Sequence, residues 1–115
     1  MVNLRDIPQA KHQVVLNAAV TDSIMHGVGE YNYAGNMHDA WKLYMHFIPA
    51  NTRYNTYTPQ ALLFSETLLE RCGSDATYEI YPALDILRYI REWTPKMITI
   101  AALIAYGVEV VENEV

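Results

Sequence analysis

His38, Lys42 and His46 recur at i, i+4 and i+8, the spacing that lines side chains up on one face of a helix. Two imidazoles eight residues apart stand about 12 Å apart along the axis. That is too far to share one metal ion, and the lysine between them repels a cation. Such a stripe suits an anion or an acidic partner, with a contact that strengthens as imidazoles take up protons below about pH 6.5. The plainer alternative is a solvated helix face.

Other candidates for chemistry fall away on inspection. Glu66 and Glu70 lie one helical turn apart, as do Asp22 and His26, but no Glu-x-x-His pair of the kind that builds metal sites in helical bundles occurs. The one cysteine, Cys72, stands just before Gly73 at an expected helix C-terminus, where the helix dipole disfavours a thiolate. It reads as a small core residue. Gly27-Val28-Gly29 lacks the third glycine and the preceding strand of a nucleotide-binding turn, and no G-x-S-x-G, phosphate-loop or H-E-x-x-H pattern is present. With no acid, base and nucleophile brought together by spacing, we expect a non-enzymatic protein without a cofactor or a metal.

Two stretches expected to be irregular, 27–35 and 49–57, have a different character. They hold Tyr31, Tyr33, Tyr54 and Tyr57, with Asn32, Asn51, Asn55 and Arg53 among them. Rigid amphipathic rings, adaptable amides and an arginine are the makings of a recognition surface. Tyr31, Tyr33, Arg53, Tyr54 and Tyr57 are therefore the expected partner-binding residues, with His38, Lys42 and His46 as an anion or ligand contact. The structural alternative is that the tyrosines lie across the ends of the fold with only their hydroxyls wet.

Charge narrows the partner. Eight Lys and Arg against 13 Asp and Glu give a formal net charge of −5. There is no basic stripe to track a phosphate backbone, which argues against nucleic acid. A lone cysteine forms no internal disulfide, and Met1 to Asp6 lacks the apolar run of a signal peptide, so a cytoplasmic setting is expected. The longest apolar stretch, Met97 to Tyr106, is too short to span a membrane.

The elements that must carry these residues are punctuated clearly. A first helix is expected from about Ile7 to His26, capped by Asp6, with Pro8 in its first turn and apolar residues on more than one face. A second is capped by Asn36, with Asp39 three residues on, and turns Met37, Ala40, Trp41, Tyr44, Phe47 and Ile48 inward. Thr58-Pro59 opens a third, with Ala61, Leu62, Phe64, Leu68, Leu69 and Cys72 inward. Ser74 begins a short turn, and a helix is expected over Pro82–Trp93. Thr94-Pro95 opens the last, nearly all apolar, which Gly107 ends. From Val108 to Val115 valines alternate with glutamates, as an edge strand or a frayed helix end.

These segments predict an all-α fold: one domain over residues 1–115, a compact bundle of four to five helices, its last helix buried or at an oligomer interface. The apolar fraction is 51% while charged residues make up 18%, below the roughly 25% usual in soluble proteins. The excess sits in the first and last helices, which points to a homo-oligomer. The expected function is binding another protein, as a small helical regulator or inhibitor. Accessory proteins encoded by viruses and mobile elements fit that size and character. The alternative is a protein that sequesters a small ligand or nucleotide, with tyrosine stacked on a base and Arg53, His38 or Lys42 on a phosphate.

Overall fold

Thr94 caps a helix as its sequence demands: its side-chain oxygen accepts from the Met97 amide at 3.1 Å, and Pro95 occupies the first helical position. The computed structural model describes residues 1–26, 31–47, 59–71 and 94–112. Among these, four helices pack together: α1 (His12–Ser23), α2 (Met37–Phe47), α3 (Pro59–Arg71) and α4 (Pro95–Ala105). The fold is all-α, with α4 as its centre and packed against each of the other three. Ile98, Ile100, Ala101, Ala102 and Leu103 are fully enclosed, and the two alanines leave room for neighbouring helices to approach closely. Thr99 is buried among them because its hydroxyl donates to the Pro95 carbonyl at 2.9 Å. Gly107, at φ +83°, turns the chain out of α4, and the Val108 amide donates back to the Leu103 carbonyl at 3.0 Å. No helix among the described residues is long and apolar enough to cross a membrane.

Beyond Gly107, Val110–Val111 form a strand rather than a frayed helix end, and residues 113–115 lie outside the described residues. β1 (Val2–Asn3) and β2 (Val110–Val111) pair in parallel, with Val2 opposite Val110 and Asn3 opposite Val111. The Val2 amide donates to Glu109 and the Leu4 amide to Val111, both at 2.7 Å. Arg71, at the end of α3, pairs with Glu112 at 2.6 Å and ties this ladder to the bundle.

The first helix starts later than expected. Asp6 does not cap it, because the chain is extended at Pro8, between Asp6 and the helix; its carboxylate accepts instead from the Asn3 side-chain amide at 3.2 Å. Pro8, at φ −54° and ψ 138°, is extended and precedes a 3-10 turn over Gln9–Lys11. Only at His12 does the α-helix begin.

The expected core arcs need two corrections. In α2 the buried residues are Ala40, Leu43, Tyr44 and Phe47, so the inward arc is rotated towards Leu43, and Met37 is exposed. In α3, Ala61, Phe64 and Leu68 face inward as expected, but Leu62 is 38% exposed. Ser65 and Thr67 take buried positions instead, their hydroxyls satisfied by the Ala61 and Leu63 carbonyls at 3.0 and 2.7 Å. Ile48, Cys72 and the expected elements from Ser74 to Trp93 lie outside the described residues.

Aromatic rings knit α2 to α3. Phe47 stacks on Phe64 with centroids 4.6 Å apart and planes 8° from parallel. Tyr44 tilts against Phe64 at 6.0 Å, and Trp41 stacks on Tyr44 at 4.4 Å.

Candidate functional site

Asn36 begins the local order that sets the site. Its side-chain oxygen accepts from the Asp39 amide at 3.2 Å, which fixes the start of α2. The Asp39 carboxylate reaches back to accept from the Asn32 amide at 3.1 Å. From the other side, Asn17 on α1 donates to the Asn32 side chain at 2.9 Å and accepts from the Ala34 amide at 2.8 Å. Gly35 lies so close to Gln13 and Asn32 that a methyl group there would have to displace their side chains. Segment 31–36 is thus held between α1 and α2, and its asparagines act as struts.

This bracing puts Tyr31 at the surface and Tyr33 beneath it. Tyr31 is 37% exposed, and the Lys42 ammonium lies 5.0 Å from its ring centroid, a cation–π contact. Two of the expected site residues, from different segments, therefore meet. At the other end of α2, His46 shares a hydrogen bond of 3.0 Å with the hydroxyl of Tyr106, which is 42% exposed and stands edge-on to Phe47 at 5.6 Å. His38 lies exposed on the same helix. Two members of the stripe, Lys42 and His46, are thus each met by a tyrosine from outside α2.

Compared with known proteins, the chain matches no family model, no curated protein and no solved structure. The reading of the site rests on its geometry.

Tyr33 corrects the expectation for the first loop. Its ring is fully buried, edge-on to Tyr31 at 5.8 Å, so it supports the exposed ring and cannot itself meet a partner. Its hydroxyl finds no hydrogen-bond partner among the described residues. Burial raises its pKa above the ordinary 10.0, and the neighbouring Tyr31 and Asp39 push the same way. Above pH 10 an unfolded tyrosine ionises before the folded one, so the folded state holds the proton more tightly and loses stability as pH rises through that range. Tyr33→Phe should raise stability at neutral pH by about 1 kcal/mol, by removing a buried hydroxyl with nothing to bond. It should also flatten the decline of the melting temperature above pH 10. An unchanged slope would show that the hydroxyl is hydrated. Arg53, Tyr54 and Tyr57 lie outside the described residues.

Beside Tyr31, on the outer side of α1, runs a groove of about 520 Å³ lined by Val14, Asn17, Ala18, Thr21, Asp22, Tyr31 and Asn32. Sequence reasoning marked the first helix as apolar on more than one face, and Val14, 69% exposed, is where that excess surfaces. Tyr106, expected in a last helix either buried or at an oligomer interface, instead follows α4 and stands 42% exposed. Its position just before a helix-ending glycine was the available sign that it would turn outward. Among the described residues no three His, Cys, Asp or Glu side chains come together as metal ligands would.

Proposed function

We propose that the protein acts by binding another protein, through the outer face of α2 and the two tyrosines that flank it. The observation that carries this reading is the pairing of Tyr31 with Lys42 and of Tyr106 with His46. Half-exposed rings held in place by their neighbours lose little freedom when covered, which is what makes tyrosine effective at interface centres. Lys42, with His38 and His46 beside it, favours an acidic patch on the partner. Binding without chemistry is the action of a small regulator or inhibitor, and that is the class we assign. The single cysteine, Cys72, supports a reducing, cytoplasmic setting.

A sequestered small ligand or nucleotide is the second reading, favoured by the groove of about 520 Å³ beside α1, a size such ligands fill. Among the described residues lining it the charged group is Asp22, which repels phosphate, so this reading ranks below the first.

The test is affinity capture with the full chain and with a variant carrying His38→Ala, Lys42→Ala and Tyr106→Ala. The wild type should retain a defined protein partner, and the variant should lose it by about a hundredfold in affinity, with an unchanged circular dichroism spectrum. Equal retention by both, or a bound small molecule in place of a protein, would rule out the α2 face.

A further inference from the structure

The exposed face of α1 is complementary to itself. Lys11, Val14, Ala18 and Asp22 follow one another at helical spacing, and all four are exposed. The cation stands at the N-terminal end of α1 and the carboxylate in its last turn, about 16 Å further along. Both are on the wrong side of the helix dipole: the first turn of α1 has no acidic residue and its last turn no basic one. A charge order that is unfavourable within the helix becomes favourable against a second α1 running the opposite way. There, Lys11 of each copy meets both Asp22 and the negative helix end of the other. The register that opposes Lys11 to Asp22 is centred between Leu16 and Asn17, and it brings Val14 of one copy within about 1.5 Å along the axis, one residue's rise, of the small Ala18 of the other.

We propose that this face pairs two copies of the chain through antiparallel α1 helices related by a two-fold axis, with Tyr31 and Asn32 as walls of the groove that receives the partner helix. A two-fold axis makes each contact occur twice, so one Lys11 and Asp22 match yields two ion pairs. A single three-turn face is small beside the roughly 800 Å² per partner of a standard stable interface. The dimer is therefore weak, in the micromolar range, and weaker still in high salt. Tyr31 borders both this face and the α2 surface, but the charge exchange at Lys11 and Asp22 leaves Tyr31, His38, Lys42, His46 and Tyr106 untouched, so its outcome is distinct from that of the α2 surface.

Sedimentation of the full chain across micromolar concentrations tests it by charge exchange. Wild type should pass from monomer to dimer as concentration rises. Lys11→Glu alone, or Asp22→Lys alone, places like charges at both symmetry-related contacts and should weaken the dimer by about tenfold or more. The double variant Lys11→Glu with Asp22→Lys restores opposite charges and should recover most of the affinity. Both positions are exposed, so the fold should tolerate all three variants, as circular dichroism will check. A wild type that stays monomeric throughout, or a double variant no tighter than the singles, overturns the proposal.

Discussion

Replacing Phe64 with alanine should cost about 3–5 kcal/mol, the range for removing a large aromatic from a packed core. Domains of this size are stable by only about 5–15 kcal/mol. The variant should therefore melt at least about 10 °C lower, or fail to fold at physiological temperature. The reason is where the ring sits. Phe64 is fully buried, stacks flat on Phe47 and is met by Tyr44, so it joins α3 to two residues of α2. Because Phe47 and Phe64 share one stack, Phe47→Ala and Phe64→Ala should not add: the double variant should lose less than the sum by about 0.5–1.5 kcal/mol. Strict additivity in denaturant titrations would mean that the rings act separately.

His12→Ala should be nearly as severe, at about 3 kcal/mol, for a different reason. The His12 side chain is buried at the start of α1. Its Nε2 lies 3.0 Å from both the Leu4 and the Ile7 carbonyl oxygens. Carbonyls only accept, so Nε2 carries the proton and donates. Its Nδ1 is then left to accept from the Lys96 ammonium at 2.9 Å, which can only donate. One tautomer satisfies all three neighbours. Alanine would take this donor from both carbonyls, leaving the Leu4 carbonyl only the Ile7 amide at 3.4 Å, and open a cavity between the N-terminal segment and the first turn of α4. Lys96→Met should cost much less, about 1 kcal/mol or under, because Lys96 is half-exposed and its loss leaves only Nδ1 unpaired. Equal losses for the two variants in thermal unfolding would show that the ammonium, not the carbonyls, makes the clasp matter. Nitrogen chemical shifts of the His12 ring should report the Nε2-protonated form.

How far these features were legible follows the range of the interactions. The Asn36 and Thr94 caps, Pro59 and Pro95 at helix starts and the buried last helix depend on neighbours within a few residues, and they are readable along the chain. The rotation of the α2 core towards Leu43 and the outward turn of Leu62 depend on which helices lie opposite, which periodicity alone does not encode. Asp6 was a sound cap on local grounds, but the chain is extended at Pro8 and the helix begins only at His12. In the site, the spacing of His38, Lys42 and His46 was visible. Their alliance with Tyr31 and Tyr106 was not, since Tyr106 lies 60 residues from His46. His12 carries no signal along the chain, because a single histidine in an apolar stretch has the same local pattern whether it is a buried clasp or a surface group.

The position of α4 bears on the order in which the chain can become a protein. It is the helix against which the other three described helices pack, yet it follows all three of them along the chain, and the β1 strand waits still longer, for Val110 and Val111. Until α4 has left the ribosome, the apolar stripes of α1, α2 and α3 lack the helix that covers them in the fold. Folding therefore cannot proceed as piecemeal addition to a finished N-terminal half. Completion of this core comes all at once, when α4 threads its alanines between the stripes of the helices that precede it.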